Sequence, residues 1–129
     1  MLKHIKSLLE NNAYLIAISL TILIAYLSLS NPVDLKIPIK INFSDKILHA
    51  IAYFSLTISW MFALRNYSKR KYIVIIIFLY GILMEYMQFW LTNNRQKDIY
   101  DVAANTFGII IAVIFYNKLY KYFVKIFDI

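Results

Sequence analysis

Residues 45–64 read DKILHAIAYFSLTISWMFAL, and this stretch decides the fold. From Ala50 to Leu64 it carries no charged side chain, while Asp45, Lys46 and His49 crowd its beginning. A bilayer core about 30 Å thick is crossed by about 20 mostly apolar helical residues, which is what this stretch supplies. Lipid offers the backbone no hydrogen-bond partners, so the reading is a helix despite the many β-branched and aromatic residues.

Working outward, three further runs have the same character. Ala13 to Ser30 contains no charge, Tyr72 to Leu91 contains only Glu85, and Asp101 to Tyr116 begins with its single carboxylate. The last rises only about 24 Å, with Lys118 and Lys121 placed to snorkel and extend it. The expectation is one all-α domain over residues 1–129, an integral membrane antiparallel bundle of four transmembrane helices. The spans fall at 13–30, 45–64, 72–91 and 101–116.

Composition agrees. The chain is 61% hydrophobic and 16% charged, too apolar for a soluble domain of this size to cover its core. It has no cysteine, so neither a disulfide framework nor a thiolate metal site is available. The net charge of +7 sits between the apolar runs and not in one patch. Topology and anionic headgroups account for it, and nucleic acid is not an expected partner.

Loop charges set an orientation. Lys3, Lys6, Arg65, Lys69, Arg70, Lys71, Lys118, Lys121 and Lys125 flank one side of the spans. Lys36, Lys40, Lys46, Arg95 and Lys97 flank the other, nine against five. The positive-inside rule then puts both termini in the cytoplasm. The start of the chain, with Lys3, Lys6 and a closing Ser28-Leu29-Ser30, has some likeness to a signal peptide. Its apolar run is longer than a usual signal core, and an uncleaved span is expected.

Two flanking segments are distinctive. In Val33–Phe43 apolar residues take the odd positions, which reads as an extended segment with one apolar edge. It is either a lid across the outer mouth of the bundle or a loop resting on lipid. After span four, Lys118, Lys121 and Lys125 oppose Leu119, Tyr122, Phe123 and Ile126. That pattern suits a helix continuing along the cytoplasmic surface. Small residues recur every four positions within the spans: Ala13, Ala17, Thr21 and Ala25; Ser55, Ser59 and Ala63; Ala104, Gly108 and Ala112. Such stripes allow close backbone approach between membrane helices.

The polar residues of the spans lie in one layer. Asp45, His49 and Tyr53 are successive turns at the outer start of span two, Glu85 and Gln88 share a face near the outer end of span three, and Asp101 and Asn105 open span four. Glu85 lies about 9 Å inside Leu91, and His49 and Asn105 about 6 Å inside their helix starts. Facing inward, they line a polar pocket open to the outside. Asp45 and Asp101 suit helix caps equally well, Ser44 is a rival cap, and Gln88 and Asn105 could serve only to join helices at roughly 0.6 kcal/mol per contact. Glu85 needs a partner, water or a proton at such depth. A wholly structural ion-pair cluster competes with a functional one.

The ordered set Asp45-Lys46-x-x-His49-x-x-x-Tyr53, Glu85-x-x-Gln88, Arg95, Asp101-x-x-x-Asn105 and Gly108 resembles the VanZ-like family of small bacterial membrane proteins. The similarity runs over about residues 45–115. One departure is Thr92-Asn93-Asn94 before Arg95, where the family often carries Pro-Gly. The resemblance implies a multi-pass protein of the bacterial cytoplasmic membrane with an envelope role touching glycopeptide (teicoplanin) susceptibility, and no defined reaction.

The expected function is binding of a membrane lipid or lipid-linked envelope precursor, without catalysis. Asp45, Lys46, His49, Tyr53, Glu85, Gln88, Arg95, Asp101 and Asn105 are the candidate ligand-binding residues. Lys46, Arg95 and Lys97 would hold an anion, although the nearby carboxylates oppose it. The alternative is a membrane enzyme acting on a lipid-linked substrate through His49, Glu85 and Asp101, with His49 and Glu85 exchanging a proton or Asp45, His49, Glu85 and Asp101 binding a divalent metal. One histidine with carboxylates suits Mn²⁺ or Zn²⁺ in type, but no standard ligand spacing is present, so neither metal nor other cofactor is expected. A transporter would need oligomers and a polar path through the bundle. A homo-oligomer is compatible with the sequence but not demanded by it.

Overall fold

The computed structural model describes residues 1–29, 42–65, 67–91 and 99–127, and their side chains except at 42–45 and 67. Five α-helices account for nearly all of them: α1 (Leu2–Asn11), α2 (Ala13–Leu29), α3 (Asn42–Leu64), α4 (Arg70–Leu91) and α5 (Ile99–Phe127). A 3₁₀ turn, Tyr67–Lys69, links α3 to α4. There is no strand among the described residues.

Three helices are long and apolar enough to cross a membrane: Lys46–Leu64, Arg70–Leu91 and Ile99–Phe127. The first expected span is different. Its helix α2 has 17 residues and reaches spanning length only with α1, from which it bends by 59°. Asn12 makes the bend: its side chain donates to Leu8 O at 2.7 Å, closing α1, while its carbonyl accepts from Ile16 N at 2.9 Å, opening α2. Helix α1 itself was not expected from the apolar pattern, because its lysines and short length hide it. The span count is therefore three or four.

Other boundaries also move. Helix α3 begins at Asn42, so Asn42 and Phe43, expected as the end of the extended segment, are helical. The rest of Val33–Phe43 that precedes them lies outside the described residues. Ser44 and Asp45 consequently sit within the first turn and not at the cap, and Asp101 does the same in α5. The Asp101 carboxylate still complements the positive end of its helix dipole. Helix α5 is 29 residues without a break, about 42 Å of rise. The lysines at 118, 121 and 125 thus continue the axis of the span instead of belonging to a separate surface helix. No Gly or Pro interrupts α5 between Ile109 and Phe127, so nothing in the backbone chemistry turns the helix there.

Contacts fix the order of directions. Trp60 Nε1 near the end of α3 donates to Thr21 Oγ1 of α2 at 2.9 Å, and Tyr80 of α4 donates to Thr21 O at 2.7 Å. Ala13 and Ala17 pack against Ala63, so α2 runs opposite to α3. At the same end, Tyr116 of α5 donates to Met61 O of α3 at 3.3 Å, so α3 and α5 run parallel with α4 opposed. The core between them holds Ile24, Tyr53, Leu56, Met61, Ile73, Ile77, Ile109 and Tyr116. Ile22, Ile76, Leu79, Leu83, Ile110 and Ile114 are at least half exposed, apart from a sheath of similar neighbours. An apolar outer surface around buried polar groups is the arrangement lipid demands.

The tightest approach is between α3 and α5. A Cβ built on Gly108 would lie 2.2 Å from Ala50 O and 3.0 Å from Phe54 N. The two backbones touch there, and Ala112, one turn on, is fully buried. This contact holds the polar ends of α3 and α5 side by side.

Candidate functional site

Because α3 and α5 are parallel and α4 antiparallel, the starts of the first two and the end of the third share one end of the bundle. Each contributes polar side chains spaced by three or four residues, which puts them on one helix face. Asp101 of α5 pairs with Lys46 of α3. One turn along, His49 Nδ1 donates to Asn105 Oδ1 at 2.9 Å, and His49 Nε2 faces Asp101 Oδ1 at 3.8 Å. Asn105 Oδ1 can only accept, so Nδ1 is the donor in this contact and Nε2 is the ring nitrogen left facing the carboxylates. Glu85 of α4 completes the group: one ligand atom each from His49, Glu85 and Asp101 lie within 4.8 Å of one another.

Lys46 and His49 keep some solvent access, and the groups behind them are buried. Glu85 and Gln88 are each 2% exposed, and Asn105 and Asp101 are likewise buried. Charged groups buried in an apolar bundle are costly unless they are paired and hydrogen-bonded, and the Lys46–Asp101 pair and the His49–Asn105 bond meet part of that demand. Tyr53 is one turn deeper than His49. Its ring lies 6.2 Å from that of Tyr80, and among the described residues its buried hydroxyl has no hydrogen-bond partner.

The structure therefore brings together Lys46, His49, Glu85, Asp101 and Asn105, with Gln88 buried nearby in sequence on α4 and Tyr53 beneath. The side chain of Asp45 and the whole of Arg95 and Lys97 lie outside the described residues. Gly81 was not anticipated. It is one turn from Glu85, and a Cβ there would be 3.2 Å from both Asn105 Nδ2 and Tyr53 Cε1. A glycine on the same face as an intramembrane glutamate was the available signal. Lys46 was assigned to an anionic ligand by its charge alone; its ion pair with Asp101 depends on a neighbour 55 residues away and could not be read from spacing.

The fold and this centre define a class: small helical membrane proteins that enclose a polar, partly ionisable cluster at one end. The chain belongs to the VanZ/LLP1 family, whose model matches residues 4–122. No curated protein and no solved structure matches it.

Proposed function

We propose that this protein binds a lipid or lipid-linked envelope molecule through the polar end of its bundle, on the non-cytoplasmic face of the bacterial cytoplasmic membrane. The observation that carries the reading is the convergence of ionisable side chains from three separate helices within 4.8 Å. Helices in lipid associate adequately through small residues and van der Waals packing, as Gly108 and Ala112 do here. A half-buried histidine, two buried carboxylates and a lysine are not needed for that purpose.

A phosphate-bearing headgroup is the favoured ligand. Lys46 supplies a cation beside the cluster, Arg95 and Lys97 add charge in the sequence between α4 and α5, and Asn105 and Gln88 offer neutral hydrogen bonds. The orientation rests on the nine-to-five distribution of flanking lysine and arginine residues. Membership of the VanZ/LLP1 family supports an envelope role that alters glycopeptide susceptibility.

A second reading is favoured by one observation. The Nδ1–Asn105 bond leaves His49 Nε2 turned toward Asp101, as a histidine acting in proton transfer requires. In that reading His49, Glu85 and Asp101 act on the bound lipid-linked molecule.

Native mass spectrometry of the full chain with lipid identification tests the binding. Wild type should retain a defined phosphate-bearing lipid that Glu85→Gln and Lys46→Ala release. Identical lipid profiles for all three proteins would remove the proposal. Turnover of that lipid by wild type, abolished in His49→Ala, would establish the second reading.

A further inference from the structure

We infer that His49, Glu85 and Asp101 form a binding site for a divalent transition cation of the Mn²⁺ or Zn²⁺ type. This departs from the expectation of no metal, which rested on the absence of a ligand motif in the sequence. Motifs such as two histidines four apart describe ligands that share one helix. Here each ligand comes from a different helix, so no local spacing announces them.

The geometry meets the requirements in turn. Ligand oxygens and nitrogens of such cations stand about 2.0–2.2 Å from the ion, so opposite ligands are at most about 4.4 Å apart. The separations of 4.8 Å or less among the three atoms need only a small contraction. One imidazole with two carboxylates matches the donor preference of Zn²⁺ and Mn²⁺. The ring orientation is also right. A metal-binding histidine characteristically donates its other N–H to an oxygen, and His49 Nδ1 does so to Asn105 Oδ1 at 2.9 Å. Nε2 is then the metal-facing atom, and it already faces Asp101.

A second, independent observation is the Tyr53 hydroxyl. The residue is 2% exposed, and that oxygen has no hydrogen-bond partner among the described residues. Side chains on a helix lean toward its N terminus, which in α3 is the end that bears His49. One point on α4, a Cβ built on Gly81, would be 3.2 Å from both the Tyr53 ring and Asn105 Nδ2, which sets the phenol ring beside a member of the cluster. A cation of this kind with three protein ligands carries water or a ligand oxygen in its open positions, and that oxygen is the acceptor the phenol lacks.

The cation also resolves the difficulty of an anionic ligand beside carboxylates. With Glu85 and Asp101 ionised, Lys46 leaves the group one negative charge in excess. A divalent ion converts this to one positive charge, the complement of a phosphodiester. Only this last step rests on the lipid-binding function proposed above; cation binding stands without it.

The test uses the purified full chain in detergent, stripped with chelator and titrated with Mn²⁺ alone. The loss of the free-ion paramagnetic resonance signal reads binding, and Zn²⁺ serves as competitor. Expected are one Mn²⁺ per chain, displaced by Zn²⁺, and at least a tenfold loss of affinity in His49→Ala and Glu85→Gln. Asn105→Ala should weaken binding about ten- to a hundredfold by freeing the imidazole. Lys46→Met should tighten it, because the ammonium competes for Asp101. Helical circular dichroism accompanies each variant. If a ligand variant fails to fold, the wild-type stoichiometry and the direction of the Lys46→Met effect decide. No stoichiometric Mn²⁺ on wild type, or unchanged affinity in the folded ligand variants, or weaker binding in Lys46→Met, overturns the site. Lipid retention measured without added metal fails or succeeds separately, so the two proposals can fall one at a time.

Discussion

Gly108 of α5 lies against the carbonyl of Ala50 in α3 so closely that any Cβ would sit 2.2 Å from Ala50 O. The obstacle is backbone, which cannot rotate aside. Gly108→Ala must therefore push α3 and α5 apart, at a cost of about 3 kcal/mol, the upper part of the range for overpacking. Gly81→Ala meets only the outer atoms of Tyr53 and Asn105 at 3.2 Å and should cost about 1 kcal/mol. Thermal unfolding followed by circular dichroism should rank Gly108→Ala well below Gly81→Ala. The reverse order would mean that the α3–α5 approach is looser than described.

The Lys46–Asp101 pair is partly exposed, at 23% and 11% for the two side chains. Removing one partner of a fully buried pair costs about 3–5 kcal/mol; here, with some solvent access, Asp101→Asn should cost on the order of 2 kcal/mol. The double variant Lys46→Met with Asp101→Leu should recover most of the loss, since it strands no charge. Equal destabilisation of single and double variants would show that the ion pair is not what Asp101 contributes.

Trp60 and Thr21 join α2 to α3 by a hydrogen bond of 2.9 Å, and Thr21 also donates to Ala17 O. Interhelical bonds of this kind in membranes average about 0.6 kcal/mol. Trp60→Phe and Thr21→Val should each destabilise, and a double-mutant cycle should return a coupling of about 0.6 kcal/mol. A coupling of zero would detach α2 from this anchor.

The chain has no cysteine, so single cysteines report orientation cleanly. Lys69→Cys, in the turn between α3 and α4, should react with an impermeant thiol reagent only after the cytoplasmic face is opened. Ile99→Cys, 77% exposed at the start of α5, should react in intact cells. Exchange of these two results would invert the topology and move the polar centre to the cytoplasmic face.

Much of the architecture is legible in the order of the residues. Spans two to four follow from apolar run length, because a bilayer sets a fixed thickness and forbids unpaired backbone. Of the small residues in the stripes, Ala13, Ala17, Ala63, Gly108 and Ala112 are buried, since close packing is what draws helices together in lipid, while Thr21, Ala25, Ser55, Ser59 and Ala104 are only half-buried. Helix ends were less legible. Asn42, not Asp45, begins α3, and α5 passes through the expected end at Tyr116, because helix propagation does not stop where hydrophobicity does. The bend at Asn12 depends on side-chain capping that hydropathy does not register.

By itself the sequence determined that the chain is helical, apolar on its outside, and polar on one face near the ends of three of its helices. Periodicity and run length encode those properties residue by residue. Only the tertiary structure decided which polar groups meet: Lys46 with Asp101, His49 with Asn105, and Glu85 with both His49 and Asp101. Those meetings depend on the rotation and close approach of separate helices, which the Gly108–Ala50 contact helps to set, and no local pattern records an angle between helices.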